Sequence, residues 1–436
     1  MNKPTLQQAF IVWLRVALLS FGGPAAQIAV MHRIVVEEKR WIDEPRFMHA
    51  LNFCMLLPGP EAQQLATYLG WLLHGVRGGL IAGILFILPG FFAILALSFL
   101  YAYLLDVSLV AALFFGLKAA VLALVLLAVK KIASKALMTR SLVAIAAVSF
   151  IAIAVVDVPF PLIIGAAAFT GYLWSKQRPA WLGDALMPAD SWRPNSVSMI
   201  STVRVLVIGC VIWVLPLMLM LPILGSDHVL VTEALFFSKV AVVTFGGAYS
   251  VLAYIAQQAV DVYQWLLPGE MLDGLGMAES TPGPLIQVVQ FVGFMAAFRD
   301  AAPFSPPMAA LLGSLVTTWA VFVPCFIFVF AGAPHVERLR HNVAIAGALR
   351  GITAAVVGVI ASLALWFASH VLFAEHKLMD VAGFSLSLPS PESINPASLS
   401  LLAAALFTLI KLNWGVGRVL LVTVAVGAAL HLFMSL

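Results

Sequence analysis

Charge is scarce in this chain. Lys, Arg, Asp and Glu make up 10% of its 436 residues, against 62% hydrophobic residues, and mean hydropathy is +1.04. That shortage excludes an ordinary soluble globular domain, where about a quarter of residues are charged. Cysteine is nearly absent. Cys54, Cys210 and Cys325 stand far apart in apolar segments, which excludes a disulfide framework or a thiolate metal site. The nine histidines are scattered without ligand spacing, so neither a metal nor a cofactor is expected. A net charge of +4 is modest, and the expected surroundings are a lipid bilayer rather than nucleic acid. What the chain has in abundance is apolar runs long enough to cross a membrane, recurring along its whole length. The expected class is an all-α polytopic membrane protein.

The first apolar run is interrupted by "SFGGPAAQ", Ser20 to Gln27. Its small residues resemble a signal-peptide cleavage site, but the same Phe-Gly-Gly returns at Phe245, where no signal peptide can be. That return belongs to a larger pattern. A shift of 224 positions lays Phe21, Gly22 and Gly23 on Phe245, Gly246 and Gly247, and Trp41 on Trp265. The same shift lays Pro58, Gly59 and Pro60 on Pro282, Gly283 and Pro284, with Gln63 on Gln287. One register held across two rare motifs is an internal duplication. Further on the register drifts but the order persists: "LPGFF" from Leu88 is echoed by "VPCFI" from Val323, and "GLKAAV" from Gly116 by "ALRGIT" from Ala348. The expected division is a first half at 1–175, a polar linker at 176–202, an extra helix at 203–225 and a second half at 226–436. A single added crossing inverts whatever follows it, so the two halves are expected in opposite orientation.

Charge placement agrees with inversion. Between Met31 and Ala50 lie Arg33, Lys39, Arg40 and Arg46, whereas the matching window, Ile255 to Gly274, has no Lys or Arg but carries Asp261, Glu270 and Asp273. Cytoplasmic loops favour Lys and Arg. Re-entrant hairpins at the breaks, with about nine full spans, place the basic groups on the cytoplasmic side; plain crossings, roughly 13, do not. The N-terminus is expected in the cytoplasm and the C-terminus in the periplasm.

Irregular backbone at membrane depth is tolerated where it is buried in protein or lines a watery cavity. Four such breaks, two per half, therefore mark one shared site. Glycine permits close backbone approach, proline suits the first turn of the helix that restarts, and the new N-terminus offers free N–H groups to an anion. The expected contacts are Phe21, Gly22, Gly23, Pro58, Gly59, Pro60, Phe245, Gly246, Gly247, Pro282, Gly283 and Pro284, with the symmetric amides Gln63 and Gln287. Arg15 and Lys239, each six residues before its Phe-Gly-Gly, are expected to add positive charge. Lys118, Arg350, Glu61 and Glu279 are expected to balance charge or carry a coupling proton. An intramembrane enzyme acting on lipid phosphate would need a nucleophile or paired acid and base beside the breaks. Glu61 has no Ser or His partner in its segment, so no enzyme is expected.

Phe-Gly-Gly-Pro followed by Leu-Pro-Gly-Pro, with "EEKRWIDE" between, resembles the first half of the chromate ion transporter family. "TFGGAY" with "AESTPGPL" resembles its second half, with Ala248 in place of the proline. The resemblance covers essentially the whole chain. It implies a secondary transporter of the bacterial inner membrane that exports chromate, a tetrahedral dianion shaped like sulfate, by alternating access, with a homodimer as a possible assembly. The residues themselves point only to a small anion, so sulfate or another oxyanion stays open as substrate.

Overall fold

A computed structural model of the chain describes residues 4–104, 108–182, 199–245, 247–267, 269–335, 343–381 and 384–434. Gly246, the linker charges Asp184, Asp190 and Arg193, and the basic residues Arg338 and Arg340 lie outside the described residues.

The order of helices repeats. In the first half, α1 (Leu6–Leu18) stops before Phe-Gly-Gly, and α2 (Gly23–His32) restarts after it. Then come α3 (Glu44–Cys54), α4 (Glu61–Leu104), α5 (Ser108–Ala136), α6 (Arg140–Ala154) and α7 (Phe160–Gln177). After α8 (Met199–Leu224), α9 (Val229–Val243), α10 (Ala248–Gln257) and α11 (Glu270–Ser280) retrace α1 to α3. The single α4 is bent at His74 and Gly75, which leave helical geometry. Its two arms answer to α12 (Val288–Arg299) and α13 (Pro306–Gly332). Then α14 (Val343–Leu372), α15 (Pro396–Ile410) and α16 (Val416–Met434) answer to α5, α6 and α7. Thr5 starts α1 with a reciprocal capping box to Gln8, and Asp43 caps α3 by accepting from Arg46 N–H.

Fine detail is duplicated too. A π-helical turn at Arg33–Glu38 recurs at Gln258–Val262, and each is followed by a non-glycine residue of positive φ, Arg40 (53°) and Gln264 (54°), 224 positions apart. Helices α6 and α15 are both 15 residues long, but their starts are offset by 256 positions. The growth of that offset has a visible source. Three residues join α5 to α6, whereas β1 (His376–Val381) and β2 (Phe384–Pro389) stand between α14 and α15. They pair as an antiparallel ribbon with His376 opposite Pro389. This short ribbon is added to an otherwise helical fold. The alternation in "FSLSLP" is its signature.

Among the described residues, five helices (α4, α5, α8, α13 and α14) are long and apolar enough to cross a membrane. The elements next to the breaks are shorter: α1 has 13 residues and α3 has 11, about 20 and 17 Å at 1.5 Å per residue, less than a hydrocarbon core of about 30 Å. The most apolar 18 residues of α8 have no buried member. A helix apolar all round and exposed along its length suits lipid.

Two compact units divide the chain, and each takes parts of both halves. One holds α1–α3, α4 as far as Ser98, α8, α9, the start of α10, α12 and α13. Trp13, Phe47, Phe53, Tyr68 and Phe86 form a core within it. The other holds the end of α4, α5–α7, the rest of α10, α11, α14 from Gly347 onward, α15 and α16, with Leu142, Leu182 and Ala354 among its buried contacts. All four helix breaks fall in the first unit.

Candidate functional site

The breaks of the two halves close on each other. Gly283 N–H donates to the Ser20 carbonyl at 2.9 Å, and Gly59 N–H donates to the Thr244 carbonyl at 2.7 Å. Under the shift of 224, Ser20 answers to Thr244 and Gly59 to Gly283, so these are two copies of one bond. Each Phe-Gly-Gly loop is therefore tied to the Pro-Gly-Pro loop of the opposite half. The hydroxyls of Ser20 and Thr244 also do the same work, donating back to Val16 and Val240 carbonyls at 2.6 Å. Both side chains are buried, and the bonds satisfy groups that a broken helix leaves open.

Glycine is required here by conformation and by space. Gly59 and Gly283 adopt φ of 123° and 120°, where a Cβ is strained. A Cβ on Gly59 would stand 2.9 Å from Cys325 Sγ, and one on Gly283 would stand 3.1 Å from Gly90 Cα. Gly90 and Cys325 are the matching positions of the "LPGFF" and "VPCFI" echo, so the packing is duplicated as well. Gly22, Gly23 and Gly247 also have positive φ. Helix α2 restarts with Pro24 in its first turn and no side-chain cap. The 3-10 turn Leu285–Gln287 that leads into α12 also lacks a side-chain cap. Uncapped first turns present N–H groups, the feature that suits an anion.

A belt of buried amides surrounds the loops. Gln27 Nε2 donates to the Gly283 carbonyl at 2.5 Å and Gln64 Nε2 to the Pro58 carbonyl at 2.6 Å. Gln63 donates to Thr67 at 3.1 Å, Gln287 to Gln290 at 2.7 Å, and Gln290 to the Phe91 carbonyl at 2.9 Å. The expected pair Gln63 and Gln287 is thus present, joined by Gln27, Gln64 and Gln290, which the repeat had not flagged because their equivalents are Val251, Val288 and Ala66. Glu61 is half-buried, and its Oε1 lies 3.1 Å from where a Cβ on Gly247 would be. It faces the second Phe-Gly-Gly loop. Glu279 is buried at the end of α11, just before Pro282. Phe21 is exposed and Phe245 half-buried.

The basic residues are placed differently from one another. Arg15 is half-exposed and pairs with Glu38 at 2.7 Å, so its charge is offset within its own half. Lys239, its equivalent, is exposed on α9. Lys118 pairs with buried Asp273 at 3.2 Å, and Tyr101 donates to the same carboxylate at 2.9 Å. Arg350 donates to the Leu182 carbonyl at 2.7 Å. The structure gives Arg15, Lys118 and Arg350 these partners. Because an exposed pair contributes about 0–1 kcal/mol, Arg15→Ala is expected to insert and accumulate like the wild type. Quantitative immunoblotting of membranes checks this. A large drop in abundance would show that the pair matters to folding.

Two like halves, helices broken in matching places and loops exchanged between the halves define a multi-pass membrane protein built by duplication. The Chromate transporter family model matches residues 7–172 and 231–432, one segment to each half, and the chain belongs to this family of transporters, not to an enzyme family. It is 33% identical over 356 residues to a chromate transport protein of Pseudomonas aeruginosa, covering 81% of this chain and 79% of that one. It is 28% identical over 387 residues to a chromate transport protein of Cupriavidus metallidurans, covering 88% and 86%. A probable chromate transport protein of Synechococcus elongatus is 28% identical over 394 residues, 88% of each chain. No solved structure matches.

Proposed function

We propose that this protein exports chromate across a bacterial inner membrane by alternating access, with the dianion bound at the crossed loops. The observation that carries the reading is the duplicated bond of Gly283 to Ser20 and Gly59 to Thr244, which joins the four helix breaks in two crossed pairs. Backbone N–H groups of Gly22 and Gly23 are the donors in this proposal, supported by the uncapped first turns beside the breaks, while those of Gly59 and Gly283 hold the loops together. The basic side chains have a lesser part in it, since Arg15, Lys118 and Arg350 have partners elsewhere. Glu61, facing Gly247, gives way or is neutral when an anion enters, because two negative charges in contact oppose each other.

The short elements beside the breaks support re-entrant hairpins rather than crossings, with the halves inverted and the N-terminus cytoplasmic. The halves then rock about the bound anion. Export of a dianion from an inside-negative cell is downhill by about 4.6 kcal/mol at 100 mV, from about 2.3 per charge. Radiolabelled chromate in inverted vesicles carrying the protein tests the reading, with membrane potential and pH gradient set independently. Saturable, protein-dependent accumulation is expected, and excess sulfate is expected to suppress it, since backbone donors read shape and charge. No flux under any gradient would overturn the substrate. Flux untouched by sulfate would overturn a site that reads shape and charge alone.

A further inference from the structure

Glu233 lies on α9, in the stretch "VLVTEALFF", with no exposed surface. Among the described residues, neither carboxyl oxygen has a hydrogen-bond partner and no ion pair involves Glu233. Helix α9 packs against α8, α12 and α13. The charged or titratable residues on those helices are Arg204 and Cys210 on α8, Arg299 at the end of α12 and Cys325 on α13. Arg204, Cys210 and Arg299 are exposed, Cys325 is buried and donates to the Val321 carbonyl, and Lys239 on α9 itself is exposed. None of them pairs with Glu233.

An ionised carboxylate so enclosed costs several kcal/mol even after relaxation. The carboxyl is therefore held as the neutral acid in this conformation. Packing does not explain its presence. The position 224 earlier is Ala9 on α1, which is also buried, at 1% exposure, so the repeated fold accepts a methyl group at this place. The second half alone carries an acid there. About 16 Å of helix, 11 residues at 1.5 Å, separates it from the break at Thr244, so movement of α9 about that break changes its surroundings.

We propose that Glu233 is a proton-binding site of the transport cycle. In the conformation described it holds a proton. When α9 moves and water reaches it, the carboxyl O–H bond breaks, the proton passes to water on that side and a carboxylate remains; movement that opens the site to the other side then lets the carboxylate take a proton from water there, and the neutral acid is enclosed again. Its use in coupling chromate to protons rests on the proposed function above, but proton binding itself does not.

Two measurements on the full-length protein test this. Infrared spectra of purified protein in lipid at neutral pH are expected to contain a neutral carboxylic-acid carbonyl band that is missing from Glu233→Gln. Identical spectra would overturn the proposal whether or not the protein moves chromate, which separates its failure from failure of the substrate reading. In vesicles, Glu233→Gln is expected to keep chromate–chromate counterflow while net flux driven by a pH gradient falls to that of vesicles without the protein. Unchanged pH-driven flux, or flux with no dependence on a pH gradient in the wild type, would overturn coupling through this residue. Glu233→Ala copies the first half, and its expected folding and loss of pH-driven flux separate proton binding from a merely structural role.

Discussion

Gly283→Ala is expected to abolish chromate flux and to lower stability by more than Gly59→Ala does. Each substitution forces a side chain into φ near 120°, a strain of about 1–3 kcal/mol. The neighbours decide the order. At Gly59 the new Cβ meets two side-chain atoms, Gln64 Nε2 at 2.8 Å and Cys325 Sγ at 2.9 Å, which give way by rotating at the loss of their hydrogen bonds to Pro58 and Val321. At Gly283 it meets the backbone of Gly90 at 3.1 Å, and backbone inside a packed helix yields only by moving the helix. Gly75→Ala is the control. Its φ is 62°, but nothing lies within 4 Å of an added Cβ, so it shares the strain without the collision and is expected to retain flux. Thermal unfolding in detergent and vesicle flux, measured on all three, check this. Wild-type flux in Gly283→Ala would remove the crossed loops from the mechanism.

The second large effect concerns stability. Lys118→Met removes the cation beside Asp273, whose side chain is 2% exposed, leaving a buried carboxylate with Tyr101 as its hydrogen-bond donor. Breaking a buried pair from one side costs about 3–5 kcal/mol, whereas replacing both partners by apolar groups is often neutral. Lys118→Met is therefore expected to lower the unfolding midpoint sharply, and Lys118→Met combined with Asp273→Leu to recover most of the loss. The contrast with Arg15 is one of enclosure. Arg15 and Glu38 have side chains 48% and 36% exposed, and solvent or headgroups take over when that pair is cut. Equal destabilisation by Arg15→Ala and Lys118→Met would show that burial is not what distinguishes them.

The repeat made the breaks legible, because a register held across Phe21 and Gly59 names Phe245 and Gly283 without any structure. It also contained the symmetry of Ser20 and Thr244, which are both hydroxyl residues one step before the motif. What the register could not show was where the halves differ, and several notable groups lie there. Glu233 answers to alanine, Gln27 to valine and Gln290 to alanine, so a search for matching pairs passes over them. Burial is the missing quantity. Glu233 in a helix reads like any surface acid until its neighbours are known. The Lys118–Asp273 pair spans 155 positions and joins residues of different halves, beyond the reach of helical spacing. The compact units were equally hidden, since they are assembled by contact rather than by descent. The ribbon, by contrast, was in plain view in the alternation of "FSLSLP".

The exchanged loops bear on how such a chain could have arisen and how it matures. A single half has one Phe-Gly-Gly carbonyl seeking a Pro-Gly-Pro amide and the converse, and both partners sit on another copy. An ancestor of half the length would have had to pair with a second copy before either break was closed. Fusion through α8 makes that pairing obligatory and fixes its stoichiometry. In the present chain the same dependence sets an order of maturation: the first half leaves the ribosome with its breaks open, and they close only once Thr244 and Gly283 have been made.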